Sequence, residues 1–358
     1  MGKSAFICVY QWFPPGPDTP ALDASLLRER KTMPNVLISA RYFAVDPEPL
    51  EVLRAHRCEL VHTELDWTLG DGNVSEGRTI ELLHDVDAAV ISSLLLTDRV
   101  LAHARTLKVI AIRGVGYDSV DIPAATARRI PVIVAPGFTD SVADYTFALM
   151  LAVTRQVALA DRLVRDGRWE VLVSTNICGK TLGIVGLGRI GKAVARRARG
   201  FDMTVLATDL VQDDAFAQQY SVAYLPLPAL VQRADIVSIN APLSGDTRHL
   251  IDEQALRLMQ PTAFLINTAR GGLVDEQALA AALREGRLAG AGLDVFEQEP
   301  LHHNPFQGLD NVVLSPHLAA YSREGLRDTG VLVAQGVVTV LGGGRPDPAV
   351  LVNPEVYA

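Results

Sequence analysis

The 358-residue sequence is poor in cysteine, in long apolar runs and in positive charge, and each shortage argues against a class of protein. Its three cysteines, Cys8, Cys58 and Cys178, are far apart and form no C-x-x-C pair. That argues against a disulfide framework, reads Cys58 and Cys178 as packing or surface residues, and suits a reducing compartment, by default the cytoplasm. The longest helical apolar run, Tyr145 to Val153, falls far short of the ~20 residues that cross a bilayer. At the N-terminus a short apolar run gives way to the Pro-rich Phe13-Pro14-Pro15-Gly16-Pro17, so a signal-peptide core is missing too. A net charge of −8 argues against a general nucleic-acid or anionic-membrane binder. His302 and His303 sit in an expected surface loop and read as solvated, with no metal role.

What is present is a globular composition, 49% hydrophobic and 21% charged, in a chain long enough for two cores. Residues 1 to 32 read as a loose, proline-bearing extension, with the fold starting near Met33. Strand-like and helical segments then alternate. Val36–Ser39, Ala88–Ser92, Val109–Ile112 and Val132–Val134 read as strands, with Pro49–Arg57 and Val100–Arg105 as helical connections. Asp140 to Asp166 reads as one long helix begun by an Asp-Ser cap; apolar on more than one face, it is either buried between domains or part of a subunit interface. Strands at Ile236–Asn240, Ala263–Asn267, Gly290–Val295 and Val312–Leu314 and a helix at Val331–Leu341 complete the pattern. The fold class is α/β, with doubly wound parallel sheets.

One segment carries a ligand signature. Gly186-Leu187-Gly188-Arg189-Ile190-Gly191 follows the strand-like Thr181–Val185, opens a helical stretch, and is followed by a second apolar run ending at Asp209. Three glycines at those offsets mean little alone, but the order strand, turn, helix, strand, acid is a dinucleotide fingerprint. Gly186 permits the tight turn, Gly188 the approach of a pyrophosphate, and Gly191 close helix packing, with Arg189 and Ile190 opening the helix beneath the anion. Asp209 is placed to accept hydrogen bonds from the ribose hydroxyls. Leu210, Val211 and Gln212 offer no cation for a 2′-phosphate, so NAD is expected over NADP.

Further stretches complete a resemblance. Arg113-Gly114-Val115-Gly116-Tyr117-Asp118, Ile266-Asn267-Thr268-Ala269-Arg270-Gly271-Gly272, Asp294-Val295-Phe296-Glu297-Gln298-Glu299-Pro300 and Ser315-Pro316-His317 resemble the motifs of the D-isomer-specific 2-hydroxyacid dehydrogenases, from about Met33 to about Leu341. The resemblance implies two Rossmann-like domains. A discontinuous substrate domain would comprise residues 34–133 and 318–345, an NAD-binding domain 134–317, and an N-terminal extension 1–33. It implies a homodimer through the helix after Asp140. Thr268 and Asp294 fall on the cofactor side, Asp294 at the position that contacts the nicotinamide carboxamide.

The chemistry of these residues agrees with that implication. Reducing a 2-keto acid needs a cation for its carboxylate and carbonyl oxygen, a proton donor for the developing alkoxide and a closely held hydride. Arg270 supplies the cation in a planar fork, and free N–H groups of Gly114, Val115 and Gly116 would bind the carboxylate's other oxygen. His317 is the expected acid in reduction and base in oxidation, with Glu299 orienting its ring and raising its pKa. The side chains expected to select the acid are Leu94, Leu95, Arg113 and Tyr321. Two alternatives stay open. One is phosphoglycerate dehydrogenase of the same family, for which Ala89–Leu94 lacks the expected phosphate-binding arginine although Arg113 could substitute. The other is a non-enzymatic NADH-sensing protein resembling the C-terminal-binding-protein corepressors.

Overall fold

A computed structural model describes residues 33–40, 42–63, 74–92 and 94–358. The N-terminal extension read from residues 1 to 32 lies outside the described residues.

The chain builds two parallel sheets. The first carries β1 (Asn35–Ser39), β2 (Glu59–His62), β3 (Ala88–Ile91), β4 (Val109–Ile112) and β5 (Val132–Val134) in the order β2-β1-β3-β4-β5, connected through α1 (Glu48–Ala55), α2 (Glu76–Leu82), α3 (Asp98–His103) and α4 (Ile122–Ala127). Every residue of β3 and β4 is buried. Such uninterrupted apolar strands are what a parallel sheet covered on both faces requires.

Two helices, α5 (Thr139–Thr154) and α6 (Val157–Arg165), lead to the second sheet. There, β6 (Thr181–Val185), β7 (Thr204–Thr208), β8 (Val222–Tyr224), β9 (Ile236–Ile239), β10 (Phe264–Asn267), β11 (Gly290–Leu293) and β12 (Val312–Leu314) lie in the order β12-β11-β10-β9-β6-β7-β8. The sheet is flanked by α7 (Arg189–Ala198), α8 (Asp214–Tyr220), α9 (Leu227–Arg233), α10 (Glu253–Leu258) and α11 (Glu276–Arg284). Sequence order reverses between β6 and β9, which makes the crevice beyond their C-terminal ends the place for a ligand. The glycine turn follows β6 directly.

The last helix, α12 (Arg323–Leu341), returns to the first sheet and buries Val333, Ala334 and Val337 in its core. It starts eight residues before the expected Val331, capped by Ser322, whose hydroxyl accepts the N–H of Gly325. Glycines hid its first turns from sequence reading. One of them, Gly330, lies so close to α1 that a Cβ would stand 2.6 Å from Pro49. The return also extends past 345, where the sequence ended it. Asn353 is fully buried; its Oδ1 accepts the N–H of Val132 at 2.8 Å and its Nδ2 donates to the carbonyl of Ile130.

The single helix expected from Asp140 to Asp166 is two. Gln156 takes a left-handed conformation, φ 53°, and breaks it. No side chain caps its start; the Asp140 carboxylate instead pairs with Arg197 of α7 at 3.0 Å. Of the two roles weighed for that stretch, α5 fills the internal one, packing on α7, β10, β11 and β12. No helix among the described residues is long and apolar enough to cross a membrane.

Candidate active site

A cleft of about 370 Å³ opens where the C-terminal ends of β4, β9 and β10 face the segment between β12 and α12. Arg113 to Asp118, Ile190, Asn240 to Leu243, Thr268 to Arg270, His317 and Tyr321 line it. A volume of this order suits a small molecule.

The glycine turn forms as its sequence predicts. Gly186 has φ +92°, which only glycine adopts without strain, and its Cα packs against the backbone of Asn240 and Ala241. A Cβ on Gly191 would stand 2.1 Å from the Gly186 carbonyl oxygen, so glycine there lets α7 close onto the turn. Around Gly188 the space is open, with no atom within 4 Å of a Cβ position, and α7 begins there without a side-chain cap. An open cradle over an uncapped helix N-terminus fits a pyrophosphate. Asp209 follows β7 and braces the turn: its carboxylate accepts the N–H of Leu187 at 2.6 Å and that of Val211 at 3.1 Å. Arg189 reaches away, donating to the carbonyl of Ala349. The Thr268 hydroxyl lies 2.9 Å from that of Thr146, which itself donates to the Val142 carbonyl; Thr268 is therefore the donor in that pair.

His317 and Glu299 meet as expected. Nδ1 of His317 lies 2.8 Å from Oε2 of Glu299, whose other oxygen accepts the N–H of Phe296. Burial pushes the imidazole toward its neutral form, but the hydrogen bond and negative charge of Glu299 outweigh it and hold the His317 pKa above its ordinary value. For Glu299 burial acts upward, and its hydrogen bond with His317 and the imidazolium charge overcome it, leaving the carboxyl below its ordinary value.

Asp294 departs from expectation. It is completely buried, so it presents no surface to a nicotinamide. Its Oδ1 accepts from the Ser315 hydroxyl at 2.6 Å and the Leu318 N–H at 2.7 Å, and its Oδ2 accepts from the Ala319 N–H at 2.8 Å. Burial keeps its pKa raised despite these bonds. Its carboxylate is committed to the turn that carries His317, a residue held at φ 55°.

The substrate loop needs a similar correction. The N–H of Gly114 is already bonded to the Ile112 carbonyl, leaving, of the three expected donors, the N–H groups of Val115 and Gly116 unengaged among the described residues. Arg270 is also partly engaged. Its Nε meets Asp118 at 3.2 Å and its Nη1 donates to the Ala269 carbonyl at 2.7 Å, so Nη2 remains without a partner among the described residues. Leu94 is buried in the core and Leu95 is exposed, and neither lines the cleft. Arg113 and Tyr321 do line it.

Sequence reading gave no role to Asp118 or to Asn240. Asn240 directly follows β9 at the reversal of strand order, and its buried Oδ1 lacks a donor among the described residues. The pattern that could have found it is the polar residue closing the apolar run Ile236–Ile239.

The chain belongs to the D-isomer-specific 2-hydroxyacid dehydrogenases: residues 147–319 match the model of that family's NAD-binding domain. It is 44% identical to a glyoxylate reductase of Korarchaeum cryptofilum over 307 residues, covering 82% of this chain and 91% of the relative. A glyoxylate reductase of Thermofilum pendens is 44% identical over 324 residues, covering 87% and 93%. Among solved structures, a Thermus thermophilus protein superposes with a TM-score of 0.80 at 34% identity, covering 89% of this chain and 99% of its own. The protein is thus an NAD-dependent oxidoreductase acting on the CH–OH group of 2-hydroxy acids.

Proposed function

We propose that the chain reduces a small 2-keto acid, of the size of glyoxylate or hydroxypyruvate, with Arg270 binding the substrate, His317 donating the proton and Glu299 tuning His317. The observation that carries the reading is the His317–Glu299 hydrogen bond at 2.8 Å on the rim of the cleft that Arg270 enters. Residues 34–133 with the returning C-terminal segment serve as the substrate domain and 134–317 as the NAD-binding domain. NADH held at the glycine turn would supply the hydride, with Gly186, Gly188, Gly191 and the first turn of α7 holding the pyrophosphate, Asp209 the ribose hydroxyls, and Asn240 and Thr268 on the nicotinamide side.

Nη2 of Arg270 and the N–H groups of Val115 and Gly116 take the substrate carboxylate and turn its carbonyl toward Nε2 of His317. As negative charge builds on the carbonyl oxygen, the protonated imidazole gives up its Nε2 proton, while Nδ1 stays bonded to Glu299. In oxidation the neutral imidazole accepts that proton back.

The protein works as a cytoplasmic homodimer. Supporting the second copy, Trp169, Val171 and Val173 beyond α6 are 89%, 92% and 92% exposed, an apolar stretch that a partner subunit would cover. The experiment for the catalytic reading is NADH oxidation against a panel of 2-keto acids. Turnover of at least one is expected; NADH binding without turnover of any would favour the sensor.

A further inference from the structure

We propose that Glu276 is a positioning residue of the reaction: its carboxylate fixes the Phe296–Glu297 peptide and, through that peptide, the places of Glu299 and of the chain beside Arg270. This rests on the dehydrogenase reading above and extends it to a side chain that does not line the cleft.

Glu276 opens α11 and is 8% exposed. The helix does not need it as a cap, because the Asp275 carboxylate already accepts the N–H of Ala278 at 3.0 Å. Oε1 of Glu276 instead accepts the N–H of Glu297 at 2.6 Å. Arg248 and His249 turn to Glu297, whose Oε2 lies 2.8 Å from Nη2 of the arginine and 3.1 Å from Nε2 of the histidine. A carboxylate buried with no ion pair among the described residues is costly to keep, and the short bond from a backbone N–H offsets part of that cost.

The peptide that Glu276 holds joins both arms of the site. A Cβ on Gly271 would stand 1.8 Å from the Phe296 carbonyl carbon, 2.1 Å from its oxygen and 2.3 Å from the Glu297 nitrogen, so the residue after Arg270 rests directly on that peptide. The preceding N–H, that of Phe296, donates to Oε1 of Glu299 at 3.0 Å, and Oε2 of Glu299 lies 2.8 Å from Nδ1 of His317. Two consecutive N–H groups thus bind two carboxylates, one buried and one facing the histidine. Rotation of the peptide would break the bond to Glu299 and press on Gly271. The titratable groups that act on Glu276 are Glu297, Glu299 and His249; those that act on His317 are Glu299, Arg270 and Asp294. Glu299 alone belongs to both sets, so it carries the effect of Glu276 to His317.

The test compares Glu276→Ala, which removes the acceptor, with Glu276→Gln, which keeps an oxygen for the Glu297 N–H but no charge. For the full-length protein, pH–rate profiles of keto-acid reduction are measured together with kcat/KM, NADH affinity and Tm. With Glu299 displaced, His317 loses part of what raises its pKa, so the reduction limb of Glu276→Ala should move to lower pH, with kcat/KM down about tenfold or more. Glu276→Gln should leave the limb in place and kcat/KM within about threefold of wild type, and both variants should bind NADH within about twofold. Added to Glu299→Gln, Glu276→Ala should move the limb no further. A Glu276→Ala enzyme that is merely less stable, its limb unmoved, would overturn the proposal and leave the dehydrogenase reading standing. So would a Glu276→Gln limb shifted as far as that of Glu276→Ala, since charge and not the bond would then be acting. Should Glu276→Ala fail to fold, Glu276→Asp, one methylene shorter, decides by the same limb. A wild type that reduces no 2-keto acid would instead remove both readings.

Discussion

Gly116 makes room for Arg270: a Cβ on Gly116 would lie 1.6 Å from Nη2 of the guanidinium. A loop from the first sheet and an arginine beyond β10 of the second thus fit together only because one of them lacks a side chain. The atom struck is the far end of a flexible side chain, so the fold should survive a substitution while the arginine is displaced. Gly116→Ala should lower kcat/KM by about tenfold or more, the size expected when a positioning contact is lost, with little change in Tm. Gly77→Ala, where nothing lies within 4 Å of the added carbon, is the control. Wild-type efficiency in the Gly116→Ala enzyme would show that Arg270 does not need its present place.

Arg270→Lys retains the charge and loses the planar arrangement that lets Nη2 reach substrate while Nε and Nη1 hold Asp118 and Ala269. Steady-state kinetics should show a fall in kcat/KM of more than about tenfold, with NADH affinity within about twofold of wild type. Unchanged kinetics would remove Arg270 from the substrate site.

On the proposed reading Asp209 selects the cofactor. A 2′-phosphate would meet a like charge there, and the residues that follow, Leu210 and Val211, are exposed and uncharged. NAD(H) should be preferred over NADP(H) by about tenfold or more in kcat/KM, and Asp209→Ala should narrow the gap. Equal use of both cofactors by the wild type would contradict the placement of Asp209 at the ribose.

The pH dependence follows from the raised pKa of His317. Reduction uses the protonated imidazole, so its rate falls as pH rises through that pKa; oxidation uses the neutral form and rises over the same range. Glu299→Gln removes the charge that holds the pKa up and should move both limbs to lower pH. Profiles measured in both directions, with hydride transfer limiting the rate, check this. Limbs that stay in place would separate Glu299 from the titration of His317.

Asp294→Asn should act through His317. The amide loses charge-assisted bonds from the Ser315 hydroxyl and from the Leu318 and Ala319 N–H groups in a fully buried place. The cost should be about 2 kcal/mol of stability, the scale of a hydrogen bond to a charged group. Thermal melting should show it, and kcat should fall as the His317 turn loosens. Normal stability with normal kcat would mean that the turn holds without the carboxylate.

Some of this was decided by local sequence. The glycine turn, the apolar strands around it and Asp209 are readable because each follows from backbone sterics and short-range pattern: a left-handed Gly186, a close approach at Gly191, burial of β6 on both faces. The expectation for Arg270, Glu299 and His317 came from another source, the order of their motifs, and the fold brings His317 onto Glu299 and sets Arg270 and His317 in one cleft. Other features depend on partners distant in sequence. Whether Asp294 faces a ligand or the inside of a turn, whether Asp140 caps α5 or pairs with α7, and where α12 begins were settled by packing that brings together residues far apart in the chain. Arg113 shows the division most clearly. Its motif marks it as a side chain expected to help select the acid, while its unanswered charge exists because tertiary packing removes it from water and supplies no carboxylate among the described residues.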